Sequence, residues 1–89
     1  MHLFFFHGQE SSPHGRKYQE LKKIYRKIKS PDFQGLNLEE RLLKAEEVTR
    51  NLEDILVVGS SMGGLLAALL YSRYPERFQT YLLMPRQPT

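Results

Sequence analysis

The stretch from Ile55 to Leu66 limits the fold of this chain more than any other part of its sequence. It begins as an apolar, β-branched run, meets glycine and serine, and continues as a run of helix formers. That order predicts a buried strand that turns sharply into a helix. The bend fits the pattern G-x-S-x-G through Gly59, Ser61 and Gly63, in which residues without a Cβ let the two backbones pass closely. The sequence therefore predicts Ser61 as an exposed nucleophile at the apex of a nucleophile elbow.

The length and composition predict one globular domain over residues 1–89. Of the 89 residues, 40% are hydrophobic and 26% are charged, which is typical of a water-soluble fold. The absence of cysteine excludes disulfides and thiolate metal sites. The apolar run Leu3 to Phe6 is too short for a signal peptide, and nothing approaches the length of a membrane span. We predict a cytoplasmic protein without a metal or a cofactor.

The net charge of +3 is unevenly distributed. Between positions 16 and 29 the only acid is Glu20, and the cations are Arg16, Lys17, Lys22, Lys23, Arg26, Lys27 and Lys29. Such a run with Tyr18 and Tyr25 could bind phosphates, but it more often forms the solvated face of a surface helix. We favour the solvated face and predict neither a nucleic-acid nor a membrane partner.

Four strands and three helices follow from the periodicity of the sequence. Strands are expected at 2–6, weakly at the lysine-flanked segment 26–30, from Asp54 to the serine turn, and at 78–84. A first helix is expected from Pro13 or His14 to Tyr25 with Ser12 as its N-cap. A second is expected to about Glu53, beginning with a capping box of Asn37 and Glu40. In this helix apolar positions predict one buried side, and Arg41 is placed among the charged residues opposite. A third helix, apolar all round and buried, follows Gly64 and ends before Pro75.

The element order β-α-β-α-β-α-β predicts an α/β fold with a parallel sheet and helices on both faces, in three layers. The strand order 2-1-3-4 puts the lysine-flanked strand at an edge and the topological switch between strands one and three. The turns His7-Gly8-Gln9 and Gly59 to Gly63 are then expected to meet at one crevice.

Three features together resemble the N-terminal half of an α/β-hydrolase. They are His7-Gly8 after the first strand, the turn from Gly59 to Gly64, and the segment from Tyr74 to Phe78. The stretches from Phe5 to Pro13 and from Pro31 to Gly35 are most similar to small bacterial YqiA-like esterases. The fold is accordingly expected to be an incomplete α/β-hydrolase.

The resemblance implies roles for residues at the two turns. Ser61 would be the nucleophile, and the backbone N–H groups of Met62 and Gln9 would form the oxyanion hole. His7 and Gly8 would shape the loop that presents Gln9, while Gly59, Gly63 and Gly64 would support the serine turn.

The acid and the base of a catalytic triad are absent from the expected positions. In this superfamily they follow the serine, yet after Ser61 the chain contains only Glu76 as an acid and no histidine. His7 or His14 could approach Ser61, although we favour a local hydrogen bond for His7 and solvation for His14. Asp32 is interpreted as a turn former, and Asp54 and Glu76 are expected at the opposite end of the sheet.

Two classes of function remain open from the sequence. The first is a serine hydrolase of carboxylic ester or thioester bonds with a small acyl-ester substrate, truncated and nearly inactive alone. The second is a non-catalytic interaction or small-ligand-binding module on a Rossmann-like sheet. An exposed edge at 78–84 would favour homo-oligomerisation or domain swapping.

Overall fold

The computed structural model describes residues 1–8 and 12–84, with side chains described up to Phe78. The elements are β1 (His2–Phe6), α1 (Arg16–Ile24), α2 (Leu38–Val48), β2 (Ile55–Ser60), α3 (Met62–Arg73) and β3 (Phe78–Met84). The strands form one parallel sheet in the order β1-β2-β3. The predicted α/β fold is confirmed.

The register of the strands sets which residues share an end of the sheet. His2 lies opposite Ile55, and Phe6 lies opposite Gly59. On the other side of β2, Ile55 lies opposite Phe78. Because all three strands run in the same direction, the residues that follow β1 and β2 meet at the carboxyl edge of the sheet.

The predicted four-strand order is not present in the described part of the chain. The segment 26–30 contributes a single parallel bridge, between Lys29 and Phe4, on the side of β1 away from β2. The Lys29 N–H donates to Leu3 O at 3.0 Å, and Phe5 N–H donates to Lys29 O at 2.8 Å. Just before the bridge the backbone turns, with Ile28 N–H donating to Tyr25 O at 3.1 Å. The turn leaves too little extended backbone for a longer ladder.

The first helix begins later than predicted, and Ser12 is not its N-cap. Gly15 occupies that position, and its N–H donates to Ser12 O in the preceding turn at 3.4 Å. Ser30 Oγ donates to Pro13 O at 2.5 Å. Pro13 is therefore held in a turn against the 26–30 segment instead of starting the helix.

The capping box of α2 is confirmed. Glu40 N–H donates to Asn37 Oδ1 at 2.9 Å, and Asn37 N–H donates to Glu40 Oε1 at 3.0 Å. The helix ends at Val48, before the predicted end at Glu53. Directly after Val48, Thr49 Oγ1 donates to Ala45 O at 2.7 Å. The local hydrogen bonds at the two termini thus fix the length of this helix.

Two hydrophobic clusters use alternate residues of the strands, since neighbouring side chains point to opposite faces of a sheet. In the first, Phe4 and Phe6 join α2 and α3 residues; the buried members are Phe4, Phe6, Phe33, Ala45, Ile55, Val57, Leu66, Ala67, Leu70 and Phe78. In the second, Phe5 and Val58 pack with Tyr18 of α1 and with Ile28. Most of the core therefore lies between the sheet and α3.

The surfaces of α2 and α3 differ from the predictions at particular positions. Arg41, predicted on the exposed face of α2, is fully buried, while Leu43 is 68% exposed. Helix α3, predicted to be buried all round, leaves Leu65 51% exposed. Each helix packs through one side only. In α2 the buried side contains Arg41 and does not contain Leu43.

Within residues 1–8 and 12–84, no helix combines the length and the apolar character needed to cross a bilayer.

Candidate active site

The turn between β2 and α3 holds Ser61 in an uncommon backbone conformation. Its φ is 54° and its ψ is −119°, a region that costs a non-glycine residue about 1–3 kcal/mol. Ser61 is exposed, although the β2 residue before it, Ser60, is buried. The turn therefore presents one hydroxyl group at the carboxyl edge of a buried strand.

Two glycines make this turn sterically possible. A Cβ on Gly63 would lie 1.9 Å from Phe6 O, and a Cβ on Gly59 would lie 2.5 Å from Gly64 Cα. Both contacts are with backbone atoms, which have no alternative rotamer. The glycine-rich sequence thus lets the first turn of α3 cross directly over the ends of β1 and β2.

The residues that follow β1 lie directly beside Ser61. A Cβ on Gly8 would lie 3.2 Å from Ser61 Cβ and 3.7 Å from Ser61 Oγ. The two turns predicted to share a crevice are therefore adjacent. Gln9, the predicted second oxyanion donor, lies outside the described residues.

His7 is buried in the first of these turns, with both ring nitrogens hydrogen-bonded. Nε2 accepts from Phe33 N–H at 2.8 Å, so Nδ1 carries the proton and donates to Gly8 O at 2.8 Å. Burial lowers the pKa of His7; the Gly8 bond opposes this, Arg41 lowers it further, Asp32 raises it, and Lys44 lowers it. The ring is a neutral structural support with no nitrogen available to deprotonate Ser61.

Arg41 holds the turn that contains His7 in place. It is fully buried; Nη1 donates to His7 O at 3.1 Å and Nε donates to Leu36 O at 3.0 Å. Its guanidinium lies 5.7 Å from the centre of the Phe33 ring. Nη2 has no hydrogen-bond partner in the described part of the chain, and burial lowers the pKa of Arg41. Helix α2 thereby ties the loop around Phe33 to the turn beside Ser61.

A cation lies next to the serine turn on the other side. Lys17, in the first turn of α1, donates from Nζ to Ser60 Oγ at 2.8 Å. Ser60 is 6% exposed and precedes Ser61 directly. The contact joins α1 to the end of β2 and places a positive charge close to the serine turn.

The remaining predicted acids and bases make other contacts or lie at the other edge of the sheet. The exposed His14 ring packs 4.8 Å from the Tyr18 ring. Asp32 Oδ1 accepts from Gln34 N–H at 2.9 Å, the bond of a turn former, and lies 3.9 Å from His7 Nε2. Asp54 precedes β2, and Glu76 precedes β3, whose first residue pairs with the first residue of β2. Both carboxylates are thus at the amino edge of the sheet, roughly 17–20 Å from Ser61.

The electrostatic character of the site comes from backbone groups and from Lys17. Ser61 is the N-cap of α3 and Met62 its first residue, and the first turn contains no acid. The N–H groups at the start of a helix have no intrahelical acceptor and carry a partial positive charge. Among the described residues, no cluster of three or more His, Asp or Glu could hold a metal ion. The arrangement suits the stabilisation of negative charge beside the Ser61 hydroxyl.

Sequence reasoning missed the two long-range supports of the site, Arg41 and Lys17. A signal for Arg41 existed, since it lies four residues before the buried Ala45 and so on the same side of the helix. The contact of Lys17 with Ser60 spans 43 positions and has no local signature.

The model of the Uncharacterised protein family UPF0227 matches residues 2–85. The chain belongs to this family. The family is that of YqiA-like esterases, so the resemblance inferred from the His7-Gly8 and Gly59–Gly64 turns is confirmed. No curated protein matches the UPF0227 chain.

A solved structure supports the fold of this UPF0227 chain. An extracellular α/β-hydrolase from a Paenibacillus species, described as sharing structural and functional homology with tobacco salicylic acid binding protein 2, superposes with a TM-score of 0.75 at 17% identity. The match covers 100% of this chain and 43% of the Paenibacillus protein. The UPF0227 chain therefore has an α/β-hydrolase-like fold and spans less than half the length of that neighbour.

Proposed function

We propose that Ser61 is the nucleophile of a serine hydrolase that acts on carboxylic ester or thioester bonds. The observation that carries the proposal is the conformation of Ser61: exposed, at φ 54° and ψ −119°, between a buried strand and a glycine-rich helix start. A strained residue persists only where the surrounding structure imposes it, and such residues cluster at active sites. Membership of an esterase-like family supports the same reaction class.

The backbone N–H of Met62 is the first oxyanion donor in this proposal, and that of Gln9 is the second. Met62 is the first residue of α3, where an N–H group has no acceptor within the helix. Attack by Ser61 Oγ on an acyl carbon would place the developing oxyanion near this helix start. A donor aimed at that charge is worth about 3–4 kcal/mol of barrier.

In our proposal, residues 1–8 and 12–84 do not supply the acid and the base of the reaction. His7 is engaged at both nitrogens, and the acids Asp54 and Glu76 lie at the opposite edge of the sheet. Without a base, a serine hydroxyl is a weak nucleophile at neutral pH. The chain by itself is then the nucleophile-bearing part of a hydrolase, with only slow chemistry.

Reaction with a fluorophosphonate probe tests the role of Ser61. We expect slow labelling at Ser61, located by peptide mass spectrometry, with a rate that keeps rising with pH because hydroxide must deprotonate the serine. Added imidazole is expected to increase the rate by supplying the missing base. Ser61→Ala should abolish the labelling.

Ser72→Ala is the matched control, since Ser72 is an exposed serine near the end of the same helix. It should label as the unsubstituted chain does. Equal labelling of Ser61→Ala and the unsubstituted chain would refute Ser61 as the nucleophile. Fast labelling that reaches a plateau near neutral pH would refute the missing base.

A non-catalytic binding module is the second candidate, favoured by the engagement of both His7 nitrogens. In that case the crevice would bind a small ligand without turning it over. A chain that shows no labelling at any pH, with or without imidazole, would favour this candidate over the hydrolase.

A further inference from the structure

The end of the molecule opposite Ser61 carries a concentrated positive charge. Between Leu21 and Ser30 the sequence has no acid, and the cations, here called the basic end, are Lys22, Lys23, Arg26, Lys27 and Lys29. All are exposed. Since the whole chain has a net charge of +3, the residues outside the basic end are net negative.

Large apolar side chains are exposed among these cations. Ile24 is 71% exposed, Tyr25 is 47% exposed, and Met1 is 75% exposed. Met1 and Tyr25 line one groove of about 500 Å³, together with His2, Leu3 and residues 26–29. Met1 and Tyr25 therefore line the same groove, and the exposed Ile24 directly precedes Tyr25 at the end of α1.

The basic end is held in place by the fold. Ile28 is 4% exposed and packs with Phe5, and the backbone of Lys29 forms hydrogen bonds with β1. Lys22 Nζ donates to Arg26 O at 3.1 Å just beyond the end of α1. At the same end Asp54 pairs with the Met1 ammonium group at 3.4 Å. The cations and the apolar tips are thus presented by an ordered surface.

The sequence predicted a solvated face without a membrane partner, but the exposed apolar side chains among the cations point to a different role. We propose that the basic end binds the surface of an anionic lipid membrane. Exposed aliphatic and aromatic tips enter the interface between head groups and acyl chains, while surrounding lysines and arginines contact anionic head groups. The combination of Ile24 and Met1 with the basic end matches both requirements. A nucleic acid would use the charges and could stack on Tyr25, but it offers no apolar region for the aliphatic tips.

The geometry leaves the serine turn accessible. The basic end lies beside the amino ends of β1 and β2, and Ser61 follows the carboxyl end of β2. A membrane at the basic end therefore faces away from Ser61. The proposal does not depend on the role of Ser61 in catalysis.

Flotation with lipid vesicles tests the proposal on the full chain. We expect binding to vesicles of phosphatidylcholine with about 30% phosphatidylserine at low salt, little binding to pure phosphatidylcholine, and weaker binding as salt screens the charges. Lys27→Glu should weaken binding by about 25-fold, since each charge near an anionic surface contributes about fivefold and the substitution changes the charge by two units. Ile24→Ser should weaken it by roughly tenfold through loss of apolar burial.

Two variants on another surface are the matched controls. Leu43 is 68% exposed, close to the value for Ile24, and lines a separate groove with the exposed Arg50. Leu43→Ser and Arg50→Glu make the same chemical changes there and should bind as the unsubstituted chain does. Circular dichroism melts verify that every variant is folded.

Three outcomes would overturn the proposal. One is the absence of binding to the anionic vesicles, and another is equal binding to neutral and anionic vesicles. The third is Ile24→Ser binding as tightly as the unsubstituted chain. A duplex oligonucleotide that binds more tightly than the vesicles, with affinity lost in Lys27→Glu and kept in Ile24→Ser, would assign the basic end to nucleic acid.

Discussion

The two edges of the parallel sheet are built from different interactions. At the carboxyl edge, backbone atoms approach so closely that Gly63 has no room for a Cβ, and buried His7 and Arg41 hold the turn beside Ser61. At the amino edge, the basic end is a layer of exposed side chains anchored by Ile28. One edge fixes positions, whereas the other displays charge.

Because of this difference, we expect the carboxyl edge to tolerate substitution less well than the basic end does. A changed side chain at the carboxyl edge alters contacts with backbone atoms that cannot move independently. A changed side chain at the basic end exchanges one solvated group for another. Variants at the two edges can therefore separate effects on folding from effects on binding.

The largest effect is expected for Gly63→Ala. Its Cβ would lie 1.9 Å from Phe6 O and 2.9 Å from His7 O, so α3 must move away from the sheet. We expect a loss of about 3 kcal/mol or more in the free energy of unfolding, measured by urea denaturation. Gly15→Ala is the control, since its nearest contact is 3.5 Å. A loss below about 1 kcal/mol in Gly63→Ala would contradict this close packing of α3 on the sheet.

His7→Phe is expected to lose about 1–3 kcal/mol at neutral pH, because the buried Phe33 N–H loses its acceptor. The same residue should make stability depend on pH. Burial lowers the pKa of His7 in the folded state, so as the pH falls below about 6.5 the unfolded chain binds the proton first. Stability then decreases until the pH reaches the folded-state pKa.

Urea denaturation between about pH 5.5 and 7.5 measures this dependence. The His7→Phe variant should lose the pH dependence of stability that arises from protonation of His7. His14 is exposed, so the control variant His14→Phe should keep the pH dependence that arises from His7. A pH dependence that is identical in all three chains would show that His7 does not carry it.

A smaller effect is expected from the strain at Ser61. Glycine adopts a positive φ without the penalty that a side chain incurs, so Ser61→Gly should be more stable than Ser61→Ala by about 1 kcal/mol. Thermal melts of the two variants give the difference directly. If Ser61→Ala proved the more stable, the backbone at this position would not be strained.

The smallest effect on folding is expected at the basic end. Lys27 is exposed, so Lys27→Glu should change the free energy of unfolding by no more than about 0.5 kcal/mol. The same variant is expected to weaken membrane binding. A large destabilisation would remove the contrast between the edges and would require a structural role for this charge.

Local patterns in the sequence predicted local structure. The capping box of Asn37 and Glu40 depends on residues three positions apart, and the serine turn depends on adjacent glycines. Both patterns occupy a few neighbouring positions, which a sequence displays directly, although the atom that excludes a Cβ at Gly63 is Phe6 O in β1. The strand boundaries at β1 and β3 were predicted for the same reason.

The features that were missed depend on distant contacts. Arg41 was placed with the charged side of α2, although it bonds His7 O across 34 positions. The segment 26–30 was predicted as a weak edge strand, yet the backbone turns after Tyr25 and only Lys29 pairs with β1. The burial of Arg41 and the short pairing of the segment 26–30 both depend on residues that are distant in the sequence, so a local pattern could not predict them.

Helix α1 connects the two edges. Its first turn contacts Ser60 through Lys17, and its last residue, the exposed Ile24, lies between Lys23 and Arg26 of the basic end in the sequence. Seven positions of a rigid helix separate them, about 10 Å along its axis. If the basic end attaches to a membrane as proposed, a tilt of this helix would displace the Lys17 ammonium group beside Ser60 Oγ, and so would couple attachment to the surroundings of Ser61.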